Sequence, residues 1–378
     1  NKFGIKDIDG LIELANKWYG RDYYDVVDED DFTSRNNPLN RFISYHIIDR
    51  QLQYASNSGT GGFIMENYIC NYSGFDSEIN MPKQFDRYDY FETMQGTMMK
   101  VMKPLSRPEG RDTYINFNKR LSPFNTDMHR HLSVRIIPLT EFIQMREEYA
   151  RFDQMATNGI VHPIDKILIY NEDEMVGNIL NERMRFDLAA LIPELQCNKV
   201  RYYSPTKSGY SLYYIPENYS KNLKYHQSRH LLYSAGLQYN GLYFGDSFAA
   251  VRGFDGSFKL PNVPPRTYEI RIALNIGVLQ MYIDNKVTGI PVEFYDSESE
   301  KEKIGYVYDE LTDDNGVEND KQMRNRGWMK APDSFNVYTY NGWVPARSTQ
   351  SGLRKVLTRV YLGPGDHWLR IKDLVEHV

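Results

Sequence analysis

Cysteine is nearly absent: Cys70 and Cys197 are the two thiols in 378 residues. They give neither a metal-ligand spacing nor a disulfide framework, so two buried free thiols are expected. No apolar run approaches the ~18 residues that a membrane-crossing helix needs. An excess of basic charge is lacking too. The 45 Lys and Arg are outnumbered by 50 Asp and Glu, for a net −5. That excludes nucleic acid as an expected partner, because phosphate binding needs a basic face. No charged segment followed by an apolar one opens the chain, so any export signal is expected upstream of Asn1.

What the chain has in abundance is tyrosine, 30 residues against 18 Phe. Tyr joins a flat apolar face to a polar tip and suits half-exposed strands and contact surfaces. The length allows about two domains, and a charged share of 25% with a hydrophobic share of 41% is ordinary for a globular protein.

Ile5, Ile8, Leu11, Ile12 and Ala15 recur at helical spacing and end before Gly20. Asn37-Pro38 then reads as an N-cap followed by the first helical position, with Leu39, Phe42, Ile43, His46 and Ile47 on one face. Residues 53–90 read as a long polar excursion. Met98–Met102, Tyr114–Phe117 and Arg130–Pro138 read as strands, 141–155 as a helix, and Ile160–Tyr170 as a closing strand after the Asn158-Gly159 turn. A connecting helix over about 172–191 carries Val176, Ile179, Leu180, Met184 and Leu188 on one face, and Pro193 stops it. Past residue 198 short strands recur: 201–203, 212–214, 231–233, 267–274, 278–283, 290–294, 353–362 and 367–371. Asp255-Gly256, Asp284-Asn285 and Gly363-Pro364-Gly365-Asp366 read as turns between them. That rhythm predicts a β-sandwich or jelly roll. The polar, acidic stretch 296–326 reads as a long surface loop.

Two segments carry a resemblance. Asn37-Pro38-Leu39-Asn40-Arg41-Phe42-Ile43-Ser44-Tyr45-His46-Ile47-Ile48 and Asn158-Gly159-Ile160-Val161-His162-Pro163-Ile164-Asp165-Lys166-Ile167-Leu168 resemble the Tyr-His motif and closing strand of a fasciclin (FAS1) domain. The segment Phe258–Arg271 resembles the strand–loop–strand of galactose-binding-type jelly rolls. Such a β-domain follows the fasciclin domain in fasciclin-like outer-membrane lipoproteins of gut Bacteroidetes, and residues 178–187 look like that group's junction. The resemblance implies an α+β fasciclin-like domain over 1–171, short of the family's first strand, a linker helix over 172–197, and an all-β jelly-roll sandwich over 198–378. It also implies an exported cell-surface protein, lipid-anchored upstream of this chain.

Tyr45 and His46 are the family motif, expected to serve packing first and ligand contact second. Tyr202, Tyr203, Tyr210, Tyr213, Tyr214, Tyr219 and Tyr225 lie close in the chain and could form a stacking platform for sugar or peptide, joined by Trp328, Trp343 and Trp368. Strand alternation turns about half of them inward. Gly245-Asp246-Ser247-Phe248 echoes a serine-hydrolase block, but that chemistry needs a strand-to-helix turn and a His–carboxylate pair, and strand-like residues follow Ser247. His129 and His131 would share one side of a strand, without a third zinc ligand nearby. Gly59-Thr60-Gly61-Gly62 fails the dinucleotide pattern, since Ile64 holds the third glycine position. The run Asp313-Asp314-Asn315-Gly316 fails the EF-hand pattern at Leu311 and Gln322.

The expectation is therefore a non-enzymatic interaction or adhesion protein without catalytic residues or cofactor, although a structural calcium held by backbone carbonyls stays open. Its expected place is as an accessory lipoprotein of a SusC/SusD-like uptake system, contacting protein partners and a glycan or peptide. The alternative is a carbohydrate-binding module with the fasciclin domain as spacer.

Overall fold

The computed structural model describes residues 5–50, 87–103, 116–118, 134–135, 154–162, 164, 166–184, 186–198, 200, 211–227, 231–235, 247–250, 253–272, 277–289, 291–294, 324–325, 327–329, 336–339, 342–345 and 354–374. These residues are mostly β-sheet with few helices. The chain divides into two compact units that part between Arg185 and Phe186, with Asn262–Pro264 grouped with the first.

In the first unit, helix α1 spans Ile8–Tyr19. The Asp7 carboxylate caps it by accepting from the Gly10 N–H at 2.9 Å. Gly20 ends it, because a Cβ there would lie 2.3 Å from the Asn16 carbonyl oxygen. Ala15 and Tyr19 are buried, whereas Ile8, expected on the same face, is exposed. Helix α2 spans Pro38–Tyr45. Asn37 Oδ1 accepts from Leu39 and Asn40, and its Nδ2 donates to the Asp28 and Glu29 carbonyls. One buried amide thus caps the helix and fixes the acidic loop before it. The helix stops two residues before Ile47, the last position of the apolar pattern. Leu39, Phe42 and Tyr45 form its buried stripe, while Ile43 and Ile47 are turned outward.

Strands β1 (Arg87–Glu92), β2 (Met98–Lys103), β3 (Asn116–Phe117) and β4 (Val134–Arg135) form an antiparallel sheet in that order. Thus the supposed excursion over 53–90 ends in a strand. Strands β5 (Gln154–Ala156) and β6 (Gly159–Val161) form a hairpin. Gln154 and Met155 therefore belong to a strand, not to the expected helix, whose other residues, 141–153, lie outside those described. The closing strand is three residues long, and residues 166–170 continue without ladder pairing. Lys100 of β2 is fully buried and ion-pairs with Glu182, whose carboxylate also accepts from the Tyr90 hydroxyl.

In place of one connecting helix there are four short pieces: an α-turn Glu172–Glu174, a π-turn Met175–Ile179, a 3-10 turn Leu188–Leu191, and helix α3, Pro193–Cys197. Asp187 Oδ1 accepts from Ala189 N at 3.1 Å and starts a fresh turn. Pro193 occupies a first-turn position of α3 and so begins a helix instead of stopping one.

The second unit holds β7 (Ser211–Ile215), β8 (Leu223–Gln227), β9 (Leu231–Ala235), β10 (Ser247–Ala250), β11 (Asp255–Lys259), β12 (Arg266–Ile272) and β13 (Gly277–Ile283). There follow β14 (Lys286–Val287), β15 (Val292–Phe294), β16 (Trp328–Met329), β17 (Asn336–Thr339), β18 (Gly342–Pro345), β19 (Arg354–Leu362) and β20 (Trp368–Asp373). A six-stranded sheet runs β14-β13-β20-β11-β8, with β15 also on β13. Smaller sheets are β10-β9-β7, β12-β19-β16 and β17-β18. All pairings are antiparallel.

Aromatic rings join two of these sheets. Tyr213 packs on Tyr233, Tyr233 on Phe248 at 5.3 Å, and Phe248 on Phe258 of β11 at 6.4 Å. Phe258, Leu369, Ile371, Met281 and Ile283 cover one face of the six-stranded sheet and are all buried; each such side chain contributes about 1.5–3 kcal/mol by leaving water. The Asp284-Asn285 turn has φ of 49° and 63°, as the tightest hairpin turn requires. Asp255-Gly256, by contrast, is no turn but the start of β11. Gly256 is needed there by close approach, because a Cβ would meet the Phe254 ring at 2.5 Å and the Lys224 carbonyl at 3.2 Å.

Candidate functional site

The Tyr45–His46 pair lies inside the first unit. Tyr45 is fully buried. Its hydroxyl accepts from Asn118 Nδ2 at 2.9 Å, and its ring meets Tyr170 edge-on at 5.4 Å. Burial pushes the phenol far above its ordinary range, against the Asn118 hydrogen bond. His46 Nε2 accepts from the Leu168 N–H at 3.2 Å, which leaves the proton on Nδ1, donated to the Phe42 carbonyl at 2.8 Å. Burial holds this imidazole below its ordinary pKa, despite the Phe42 carbonyl. Both side chains are thus occupied in joining α2 to residues 168–170.

The expected tyrosine platform is only partly present. Tyr202, Tyr203 and Tyr210 lie outside the described residues. Neighbouring positions of β7 point opposite ways: Tyr213 lies on the side that packs on Tyr233, yet remains 37% exposed, while Tyr214, like Leu212, is on the other side and more exposed. Tyr219 is half-buried, its hydroxyl accepting from Asn198 and donating to the Glu194 carbonyl. The Tyr225 hydroxyl donates to the Ile215 carbonyl at 2.7 Å. Trp328 corrects the expectation of a contact residue, being only 3% exposed, in the core with Lys355 Nζ 5.1 Å from its ring. Trp343 sits opposite Tyr338 in the β17–β18 hairpin. Among the described residues the expected platform does not assemble as one face.

A different face does assemble. Alternation along β8, β11, β13 and β20 sends the apolar residues to the core and the intervening ones to the opposite side. There Tyr282 lies beside Arg370, Arg370 opposite Ser257, and Ser257 opposite Lys224, across four strands. The next rows bring Gln280, Lys372 and Asp255 to one end and Trp368 and Lys259 to the other. Asp255 binds Arg370 through two hydrogen bonds of 2.6 Å, which raise the guanidinium pKa further. The Arg370 guanidinium lies 5.1 Å from the Tyr282 ring. His226 Nε2 and Ser257 Oγ are 2.6 Å apart. Lys224 Nζ stands 3.5 Å from the centre of the Trp368 ring. A bulge at Asp255/Gly256 places both His226 and Gln227 at the edge of this face.

This arrangement suits binding. It offers two half-exposed aromatic rings, a guanidinium and ammonium groups on a rigid sheet, above Asp255, Ser257 and Gln280, which are buried and hydrogen-bonded to neighbours. The His226–Ser257 pair is not built for nucleophilic attack. Ser257 is 4% exposed in mid-strand, paired with Lys224 on one side and Arg370 on the other, so the backbone around it is committed to the ladder and not to an oxyanion hole. Ser247 opens strand β10, which runs on to Ala250, so among the described residues it is not at a strand-to-helix turn.

Trp368 belonged to the wider aromatic set read from the sequence; Lys224, His226, Asp255, Tyr282 and Arg370 did not. The signal that could have found them is the alternation itself, as in Trp368-Leu369-Arg370-Ile371-Lys372. His129, His131, Gly59–Gly62, Cys70 and the 313–316 run lie outside the described residues. Among the described residues no three His, Cys, Asp or Glu are placed to hold a metal ion, and no helix is long and apolar enough to cross a membrane. The chain matches no family model, no curated protein and no solved structure.

Proposed function

We propose that this is a non-enzymatic interaction protein of the cell surface whose second unit binds a glycan on the outward face of its six-stranded sheet. The observation that carries this reading is the joining of Trp368 and Tyr282 to the Asp255–Arg370 and His226–Ser257 pairs on one face. Sugar rings stack their C–H faces on aromatic rings, and their hydroxyls exchange hydrogen bonds with fixed polar groups. In this reading the second unit is a jelly-roll-like sandwich and the first a fasciclin-like domain acting as spacer. The junction of Tyr45 and His46 with Leu168 and Tyr170 supports the latter, because it joins the region of the Tyr-His motif to that of the closing strand. The same reading keeps the lipid anchor upstream and the SusC/SusD-like partners.

The test is titration calorimetry of the intact protein against a panel of oligosaccharides. Trp368→Ala should weaken binding about tenfold, the size expected for losing a stacked ring. Tyr361→Ala, on an exposed ring of β19, should leave it unchanged. Equal binding by wild type and Trp368→Ala would remove this face from the function. A mild-detergent pull-down from native membranes tests the partner reading, which fails if the protein is recovered alone.

A further inference from the structure

We propose that this face selects saccharides carrying an anionic group, a uronate carboxylate in particular; the inference rests on the glycan-binding reading above. Lys224, Lys259, Arg370 and Lys372 lie on this side of the sheet with the buried Asp255; Glu293 is in register with Val278 at the β15 edge, and Asp284 adjoins Trp368, accepting from its N–H. Asp255 is taken up by Arg370, and Lys259 is paired with Asp366 of the preceding loop at 2.8 Å. Among the described residues neither Lys224 nor Lys372 forms an ion pair, although Lys372 stands in register opposite Asp255, whose oxygens are held by Arg370. With Arg370 and Lys259 engaged, Lys224 and Lys372 are the ammonium groups left on this side for an anionic ligand.

The position of Lys224 makes this selective and not merely attractive. It belongs to β8 and Trp368 to β20, with β11 between them. The lysine reaches across that strand to hold its ammonium 3.5 Å from the ring centre. A neutral sugar stacking on Trp368 must displace the ammonium and leave it without its ring. A sugar acid takes the same ring and offers its carboxylate to the displaced ammonium. Occupancy of the ring by Lys224 thus works against neutral ligands while costing acidic ones little. Lys372 supplies the second cation four residues along β20, about 13 Å from Trp368 at the usual strand rise. That distance exceeds one pyranose ring, so the fitting ligand is an oligosaccharide with acid groups on more than one residue.

The experiment titrates the intact protein with oligogalacturonides, their methyl esters, and a panel of matched acidic and neutral oligosaccharides at low and high salt. Acidic members should bind about tenfold tighter than their neutral counterparts, and added salt should weaken them. Lys224→Ala with Lys372→Ala should cost about fivefold to tenfold on acidic ligands. Lys224→Ala alone should improve binding of the methyl ester, a gain that misfolding cannot produce. Equal affinity for acid and ester, or binding confined to neutral members, overturns this inference and leaves the glycan reading intact. No binding to any member by the wild-type protein overturns both.

Discussion

Asp255 and Arg370, 115 residues apart in the chain, grip each other through two parallel hydrogen bonds of 2.6 Å. The two ends differ in access to water: the Asp255 side chain is 4% exposed and the Arg370 side chain 25%. Removing one partner strands the other, and the stranded groups are not equivalent. Arg370→Ala leaves a carboxylate buried in mid-strand and should cost about 3–5 kcal/mol. Asp255→Ala leaves a guanidinium that still reaches solvent and should cost about 2 kcal/mol. Urea unfolding of the two variants, followed in the β-rich unit, checks the order; equal losses would show that burial of Asp255 is not the deciding term.

His46 ties acid sensitivity to the first unit. Its folded pKa lies below the ordinary value of a histidine, so in acid the unfolded chain takes up the proton first. Its contribution is present above about pH 6.5 and is lost as pH falls through the folded pKa. His46→Gln should flatten the decline of the first unit between pH 7 and pH 5, measured by hydrogen exchange at Leu168 and Tyr170. An unchanged decline would place the acid sensitivity elsewhere.

His367 acts with the opposite sign in the second unit. Burial lowers its pKa, but the Asp284 carboxylate at 2.7 Å and the Gly363 carbonyl at 2.9 Å outweigh it, and the net shift is upward. Its contribution is complete below about pH 6.5 and fades as pH rises through the folded value. His367→Gln should therefore lower the melting temperature of this unit more at pH 5.5 than at pH 8.5. A penalty that grows with pH would contradict the assignment.

Gly256→Ala should destabilise the second unit by about 1–3 kcal/mol. The new methyl would press on Phe254, whose ring is packed against Tyr225 and Phe258. Paired with Phe254→Leu, which opens space at the ring, part of the loss should return. No recovery in the double variant would point to the Lys224 carbonyl as the obstacle instead.

Local chemistry was legible where a single residue type enforces it. Asn37-Pro38 specifies a helix start, Asp284-Asn285 a tight hairpin, and the apolar runs over 231–233, 278–283 and 353–362 the strands β9, β13 and β19. The failures have a common cause, which is that tertiary partners overrule local signals. Asp255-Gly256 has the residues of a turn, yet Arg370 and the Phe254 ring hold it in a strand. Residues 172–191 have a helical apolar period, yet the Asp187 cap and the buried Met175, Ile179 and Leu180 are satisfied by separate turns. Trp328 has the type of a contact residue, but pairing with β19 places it in the core. The candidate face was written into the alternation of β20. Its membership was not, because sequence order does not say that β8, β11, β13 and β20 lie side by side.

Lys100 has a consequence for the chemistry of the intact molecule. Its amine is sealed beneath the sheet with Glu182 and Tyr90 for company, so an acylating reagent that modifies surface lysines within seconds finds no route to it. Every molecule labelled at that position records one opening of the packing around β2, local or complete, and the rate at which the label accumulates serves as a clock for those openings.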